Sequence, residues 1–341
     1  MYCLHCSPEN ESNEHAKIFH KRMKFVRCVG HSLQCVSVSW NATGDRLASG
    51  STDKSILLWN ALGSKLSGST ARKHDDEVNR VQWAPSDVHS FCSCSKDKTL
   101  RLWDERQPDQ TAIINLEAKE SNKAVTSGEG LAWHSNGNEI AVIVTNQDLS
   151  SQVQIVDVRM NTVGRYLSSK KTFTDLAWSS IYQDMLILTT EDGSVIVANG
   201  SSLDLNSFYT LEAHSGVVQT VDVDPTGKRF ATGSSDSIIN LWSIRDITCE
   251  RSVNNSESSV RCVRFSSNGK FLASSTDKKV WINHCETGKV VGQIPQMSDE
   301  KKISDAPQGI WCLAWNPKRY TLAFGGERAF LGMTSYENSS L

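Results

Sequence analysis

The chain has 341 residues, 38% of them hydrophobic, with ten tryptophans and a formal charge of −2 at a pI near 6.5. That balance argues against tight, unaided binding to nucleic acid, which calls for a basic excess, and it leaves enough apolar surface for a large core. No apolar run approaches the roughly 18 residues of a membrane span, and the opening MYCLHCSPENESNEH is polar, so a soluble intracellular protein without a secretory leader is expected.

From the N-terminus, residues 1–23 read as a polar tail, in which Ser7, Pro8 and Glu9 can open a short helix because proline is tolerated in a first turn. Cys3 and Cys6 have the spacing of a metal-binding pair, and His15 and His20 would complete four ligands. A zinc site generally shows a second paired motif, so no metal is expected. Lys17, Lys21, Arg22, Lys24 and Arg27 set five cations in eleven residues with no acid, and Phe19 and Phe25 are interleaved. Such a run can touch RNA phosphates or serve nuclear import. The plainer reading is a solvated segment leading into a strand-like stretch at 24–29.

One pattern then recurs. LASGSTDKSILLWN passes Trp59, FCSCSKDKTLRLWD passes Trp103 and FATGSSDSIINLWS passes Trp242. His31, His74 and His214 precede those tryptophans by 28, 29 and 28 residues, and Asp53, Asp97 and Asp236 each lie six residues before them. Weaker copies emerge from the strand that follows the histidine. Its last position recurs at Trp40, Trp83, Trp133, Trp178, Val223, Phe265 and Trp315, with gaps of 43, 50, 45, 45, 42 and 50 residues. That makes seven units, the longer gaps leaving room for loops near 107–125 and 295–308.

Within a unit, VSVSW, LASGS and ILLW alternate apolar and polar residues with the period of half-buried antiparallel strands. Thr43-Gly44, Asn136-Gly137, Thr226-Gly227 and Asn268-Gly269 supply glycine where a tight hairpin needs positive φ. Most of the ten cysteines fall inside strands and read as small core residues; Cys92 and Cys94, two apart, share a strand face and make no easy bridge. Units three, four and seven lack the closing Trp, having Val156-Asp157, Val197-Ala198 and Gly332-Met333 nearby. Unit six keeps Ser274 and Asp277 without a histidine, and its Trp281 follows the Asp by four residues. The last unit is one strand short, and the stretch at 24–29 can complete it, hiding an open sheet edge.

The period, the Gly30-His31 opening and the Trp103-Asp104 close resemble the WD40 repeat, the unit of a β-propeller. The resemblance implies an all-β fold, a seven-bladed WD40 propeller over 24–335 closed by an N-terminal strand, with a tail at 336–341. It also implies that His31, Ser49, Asp53 and Trp59, then His74, Ser93, Asp97 and Trp103, then His214, Thr232, Asp236 and Trp242 are structural hydrogen-bond sets. Each set imitates a Ser-His-Asp triad. An enzyme needs one triad, however, and three copies at the repeat period are architecture. Thr52, Lys96, Ser235 and Thr276, just before the turn Asp, are expected on the face carrying those turns and are the candidate partner contacts.

A finer likeness rests on VDVDPTGKRFATGSSDSIINLWSIRDITCERSV at 221–253, VRCVRFSSNGKFLASSTDKKVWINHCETGKVVGQI at 260–294 and LAWNPKRYTLAFGGE at 313–327. Together with LAWHSNGNEIAV and the Trp-poor fourth unit, these resemble the family of WD40 subunits of the THO complex. That family implies a nuclear, non-enzymatic scaffold that couples transcription to mRNA packaging and export. Its partners would be other THO subunits, chiefly the large helical one, and mRNA export factors, with RNA contacted indirectly. No cofactor, small-molecule substrate or membrane is expected. A ubiquitin-ligase substrate receptor or a chromatin-associated adaptor would use the same fold, but a methyl-lysine pocket wants clustered aromatics, and the four turn positions offer none. No phosphate loop, paired metal motif or nucleophile elbow is present, and Gly128-Glu-Gly130 is too short to count.

Overall fold

A computed structural model describes residues 19, 23–62, 65–117, 124–179, 181–182, 184–203, 209–277, 279–294 and 309–340. The described residues form seven four-stranded antiparallel sheets. Blade 1 is β2 (Cys35–Trp40), β3 (Arg46–Ser51), β4 (Ser55–Leu62) and β5 (Lys65–Lys73); blade 2 is β6 (Val78–Trp83), β7 (Ser90–Ser95), β8 (Thr99–Asp104) and β9 (Gln107–Asn115). Blade 3 is β10 (Val125–Trp133), β11 (Glu139–Asn146), β12 (Ser151–Asp157) and β13 (Thr162–Ser169); blade 4 is β14 (Phe173–Trp178), β15 (Met185–Thr190), β16 (Ser194–Asn199) and β17 (Tyr209–Glu212). Blade 5 is β18 (Val218–Val223), β19 (Arg229–Ser234), β20 (Ile239–Ser243) and β21 (Cys249–Val253); blade 6 is β22 (Cys262–Phe265), β23 (Phe271–Ser275), β24 (Val280–His284) and β25 (Val290–Ile294). Blade 7 combines β26 (Ile310–Trp315), β27 (Arg319–Gly326) and β28 (Phe330–Ser340) with β1 (Met23–Cys28).

The seven positions that mark the repeat, Trp40 to Trp315, each end the first strand of a blade. These first strands pack side by side in order, and β26 returns against β2, so the ring is closed. Its last blade joins the two ends of the chain: β1 pairs with β28 from Met23↔Tyr336 to Cys28↔Leu331. β28 runs on to Ser340, taking in most of the expected C-terminal tail. The long gap after Trp83 is only partly loop, because 107–115 is the outer strand β9. The stretch 295–308 and the tail of 1–18 lie outside the described residues.

Apolar clusters sit between neighbouring blades, which is why each strand alternates in burial. Leu100, Ile114, Trp133 and Ile140 join blades 2 and 3, and Val218, Val221, Phe230 and Trp242 pack on Ala177 and Ile187 of blade 4. A first strand presents an unpaired edge to the axis, and side chains of the preceding blade satisfy it. Ser37 and Ser39 accept from the Val81 and Trp83 amides at 3.0 and 3.1 Å, and Gln82 from Trp133 at 2.9 Å. Asp175 accepts from Val221 at 3.2 Å and Asp222 from Phe265 at 2.7 Å. Indoles bond in the reverse direction, Trp40 to the Ala314 carbonyl, Trp178 to Ala132 and Trp315 to Arg264, each at 3.1 Å. Gly44, Gly137, Gly227 and Gly269 turn the first hairpins at φ of 73°, 75°, 70° and 69°.

Candidate functional site

The three histidine sets close in the same order. Trp59 donates its indole N–H to Ser49 Oγ at 2.9 Å, Ser49 Oγ lies 2.7 Å from His31 Nε2, and His31 Nδ1 lies 3.2 Å from Asp53 Oδ2. In blade 2 the distances for Trp103, Ser93, His74 and Asp97 are 2.8, 2.7 and 2.7 Å. In blade 5 those for Trp242, Thr232, His214 and Asp236 are 3.0, 2.8 and 3.0 Å. Each carboxylate also caps its own turn and the incoming loop: Asp53 accepts from the Ser55 amide at 2.9 Å and the Ser32 amide at 2.8 Å. Those bonds hold Lys54, Lys98 and Ser237, the next residues, in the left-handed region at φ of 70°, 66° and 69°, a cost the capped turn offsets.

Electrostatics fixes the direction of the relay. Burial lowers the pKa of His31 and of His214 more than their Asp partners raise it, so the rings stay neutral. Burial works against ionising Asp53 as well, but the Ser55 hydroxyl, the Ser32 and Ser55 amides and His31 outweigh it and hold the carboxyl at about 2. The indole therefore donates to the hydroxyl, the hydroxyl to Nε2, and Nδ1–H to an ionised carboxylate. Ser49, Ser93 and Thr232 are fully buried and each already receives an indole N–H, so none has a face to offer a substrate carbonyl.

Of the four expected contacts, three reach the upper face, the one with the turns between second and third strands. Thr52 is half-buried, Lys96 is exposed and pairs with Glu77 at 2.8 Å, and Ser235 is exposed. Thr276 does not belong with them. It is buried, its hydroxyl bonded to both the amide and the carbonyl of Lys279, because the blade 6 turn is one residue shorter and draws the side chain inward. In blade 6, which lacks the histidine of the sets, Arg261 just before β22 reaches Asp277 at 2.9 Å and lies 4.6 Å over Trp311.

Both aromatics of the basic N-terminal run pack against the propeller. Phe19 is buried between blades 6 and 7 against Phe271, Tyr320 and Trp315, at ring separations of 4.9, 5.9 and 6.4 Å. Phe25 stacks on Phe330 at 6.1 Å. Arg27 is exposed on β1 with its guanidinium 5.9 Å from the Phe330 ring, and Lys24 pairs through its main chain with Ser335. Lys17, Lys21 and Arg22, like Cys3, Cys6, His15 and His20, lie outside the described residues. Among the described residues no cluster could hold a metal ion.

A polar group along the axis escaped the sequence reading. Arg80 bonds Asp175 at 3.2 Å, spanning blade 3, and Arg264 and Asp222 line the same cavity of about 490 Å³. The signal was present in VNRVQW, FTDLAW, VQTVDV and CVRF, where charged residues occupy the alternate positions that VSVSW fills with serine.

The WD domain, G-beta repeat family matches residues 23–60, 67–104, 205–243 and 247–282. Each segment takes in all or most of the outer strand of one blade and runs into the third strand of the next, so the repeats interlock the blades. The chain is 32% identical over 302 residues to THO complex subunit 3 of Arabidopsis thaliana, covering 87% of this chain and 88% of that one. The chain belongs to the THO complex subunit 3 family of WD40-repeat proteins. Weaker likenesses follow the shared fold: WD repeat-containing protein AAC3 of Dictyostelium discoideum is 23% identical across 70% of this chain and 52% of its own length. Protein hir1 of Schizosaccharomyces pombe is 26% identical across 72% of this chain and 24% of its own. Blades 3, 4 and 7 of this THO complex subunit 3 family member lie largely outside the matched repeats and lack the histidine set, as does blade 6, which a match covers into its third strand.

Proposed function

We propose that the chain is a non-catalytic scaffold subunit of a nuclear THO complex, and that its work is to hold other macromolecules during mRNA packaging and export. The observation that carries this is the long match to a THO complex subunit 3, which covers 87% of this chain and so takes in weak and strong blades alike. The architecture supports it. A closed ring with carboxylate-capped upper loops is a stiff disc, and stiffness lowers the ordering cost of binding a partner at its rims. The large helical THO subunit would take one rim, leaving the other faces for export factors.

Affinity purification of the tagged full-length chain from nuclear extract tests the reading. Co-recovery of the THO subunits in fixed proportion is expected. Recovery of a ubiquitin-ligase adaptor or histone-handling proteins in their place would overturn it. RNA should bind the purified chain weakly or not at all at low salt; binding that falls steeply as salt rises would make the chain a phosphate reader in its own right.

A further inference from the structure

The first residue of a second strand borders a notch at two blade junctions, between blades 2 and 3 and between blades 6 and 7, and its identity differs from blade to blade. In blades 1, 3 and 5 that residue is charged and paired, Arg46 with Glu105, Glu139 with Arg165, and Arg229 with Glu250 and Glu286. In blade 4 it is Met185 and in blade 6 Phe271. In blade 2 it is Ser90. Between blades 6 and 7 the notch is filled by the chain itself: Phe19 lies against Phe271, Tyr320 and Trp315, with Gly292 beneath it so closely that a Cβ there would come within 2.9 Å.

Strand registers superpose that filled notch on the one between blades 2 and 3. Ile282 and Gly292 face each other as Leu102 and Ala112 do, and Trp315 and Trp133 both end a first strand. The aromatic walls differ. Ser90 stands where Phe271 does, and Asn138 where Tyr320 does. The result is an open groove of about 700 Å³ floored by Leu102, Ala112, Trp133 and Val158. Its two charged lining residues are Asp87 and Asp104, both held ionised: Asp87 first by the Ser90 hydroxyl, Asp104 first by exposed Arg106, at 2.6 Å. A surface pair of that kind exchanges at little cost.

We propose that this groove between blades 2 and 3 is a docking site for a partner protein segment that presents a phenylalanine or tyrosine beside lysine or arginine. The ring would take the place Phe19 takes at the other junction, and the neighbouring cation would meet Asp87 and Asp104. The chain supplies its own example of such a ligand, because Phe19 lies within Lys17-Ile18-Phe19-His20-Lys21-Arg22.

A fluorescent peptide with the sequence of residues 15–23, HAKIFHKRM, serves as the probe for the full-length chain in an anisotropy titration. Saturable binding is expected. It should weaken by about tenfold or more when the peptide phenylalanine becomes alanine, as loss of a central aromatic anchor does. Ala112→Trp, which fills the groove, and Ser90→Phe, which rebuilds the missing wall, should weaken it similarly while leaving the melting temperature near wild type. Asp87→Asn with Asp104→Asn should weaken it less and flatten its salt dependence. No binding, or equal binding by Ala112→Trp and Ser90→Phe proteins that remain folded, overturns the proposal. So does a concentration-dependent dimer lost on Phe19→Ala, which would make the occupant a second copy of this chain.

Discussion

Blades 2 and 3 are neighbours with the same strand order and different interiors. In blade 2 the buried positions hold His74, Ser93 and Trp103, tied to Asp97. In blade 3 Leu116 stands where His74 does, its amide 2.9 Å from the Lys98 carbonyl as that of His74 is from Lys54, and by register Val142 replaces Ser93 and Val156 replaces Trp103. Both sheets form and both pack, so apolar contact between blades is what makes the ring. The polar set adds something local: it ties an upper loop, a turn and two strands into one unit. In blade 7 Thr334 stands by register where Trp103 does, and Phe25 from β1 covers Gly332 so closely that a Cβ at that glycine would meet the Phe25 ring at 2.7 Å.

The largest expected effect tests whether the indole is packing or only a donor. Trp103→Ala should cost about 3–5 kcal/mol in urea unfolding, since it opens a cavity beside Phe91 and removes the indole donor to Ser93, whereas Val156→Ala in blade 3 should cost roughly 2. Equal losses would mean that blade 2 draws nothing extra from its set. His74→Ala comes next, at about 1–3 kcal/mol, because Ser93 and Asp97 are left buried without their shared partner. A variant that folds with wild-type stability would show that water replaces the imidazole freely and would remove the distinction between the two blades.

Acid should separate the blades more gently. His31 and His214 are harder to protonate in the folded chain than in the unfolded one, so their contribution is complete above about 6.5 and declines as pH falls below it. Asp53, held at about 2, contributes fully above its ordinary value of 3.8 and loses that contribution between there and about 2; Asp97 and Asp236 are shifted the same way. The urea midpoint should therefore fall first below pH 6.5 and then more steeply below 4. Amide exchange should show the upper loops of blades 1, 2 and 5 opening before that of blade 3, while the blade 4 turn, where Lys171, Thr190 and Ser194 hold Asp192 ionised against burial, should open in acid as well. Simultaneous opening of all loops would contradict the assignment of the sets as local clamps.

The ring was legible because its markers are large and periodic: one aromatic or apolar residue ending each first strand sets the spacing whatever the rest of the blade contains. The missing strand of blade 7 was legible for a related reason, as a count of strands leaves one at each end of the chain. What the sequence hid depends on contacts between distant segments. Phe19 read as an aromatic among cations, yet its environment is set by Phe271 and Tyr320, some 250 or more positions away in a blade junction no local pattern reveals. Thr276 read like Thr52 because the words around them match, and only the register across β23 and β24 shows a turn shortened by one residue. The axial charges were hidden by alternation itself, which places residues on a face without saying that the face closes on six others.

Asp222 carries the smallest and most discriminating effect, since it belongs to the axial girdle that strong and weak blades share. Burial raises its pKa to about 6, with Asp175 adding to the rise and Arg264 and the Phe265 amide opposing it. A carboxyl whose folded pKa lies above the ordinary 3.8 stabilises in full below that value, and the contribution is lost as pH rises through 6. At neutral pH the charge is thus a burden, while the acceptor role toward Phe265 at 2.7 Å is one that an amide oxygen can fill. Asp222→Asn should leave stability unchanged or slightly raised at pH 7.5, with the advantage vanishing near pH 5. A loss of more than about 1 kcal/mol at pH 7.5, the net value of a hydrogen bond to a neutral group, would mean that the carboxylate holds Arg264 in place. The axis would then resemble the histidine sets, stabilised by its ionised members and not by packing around them.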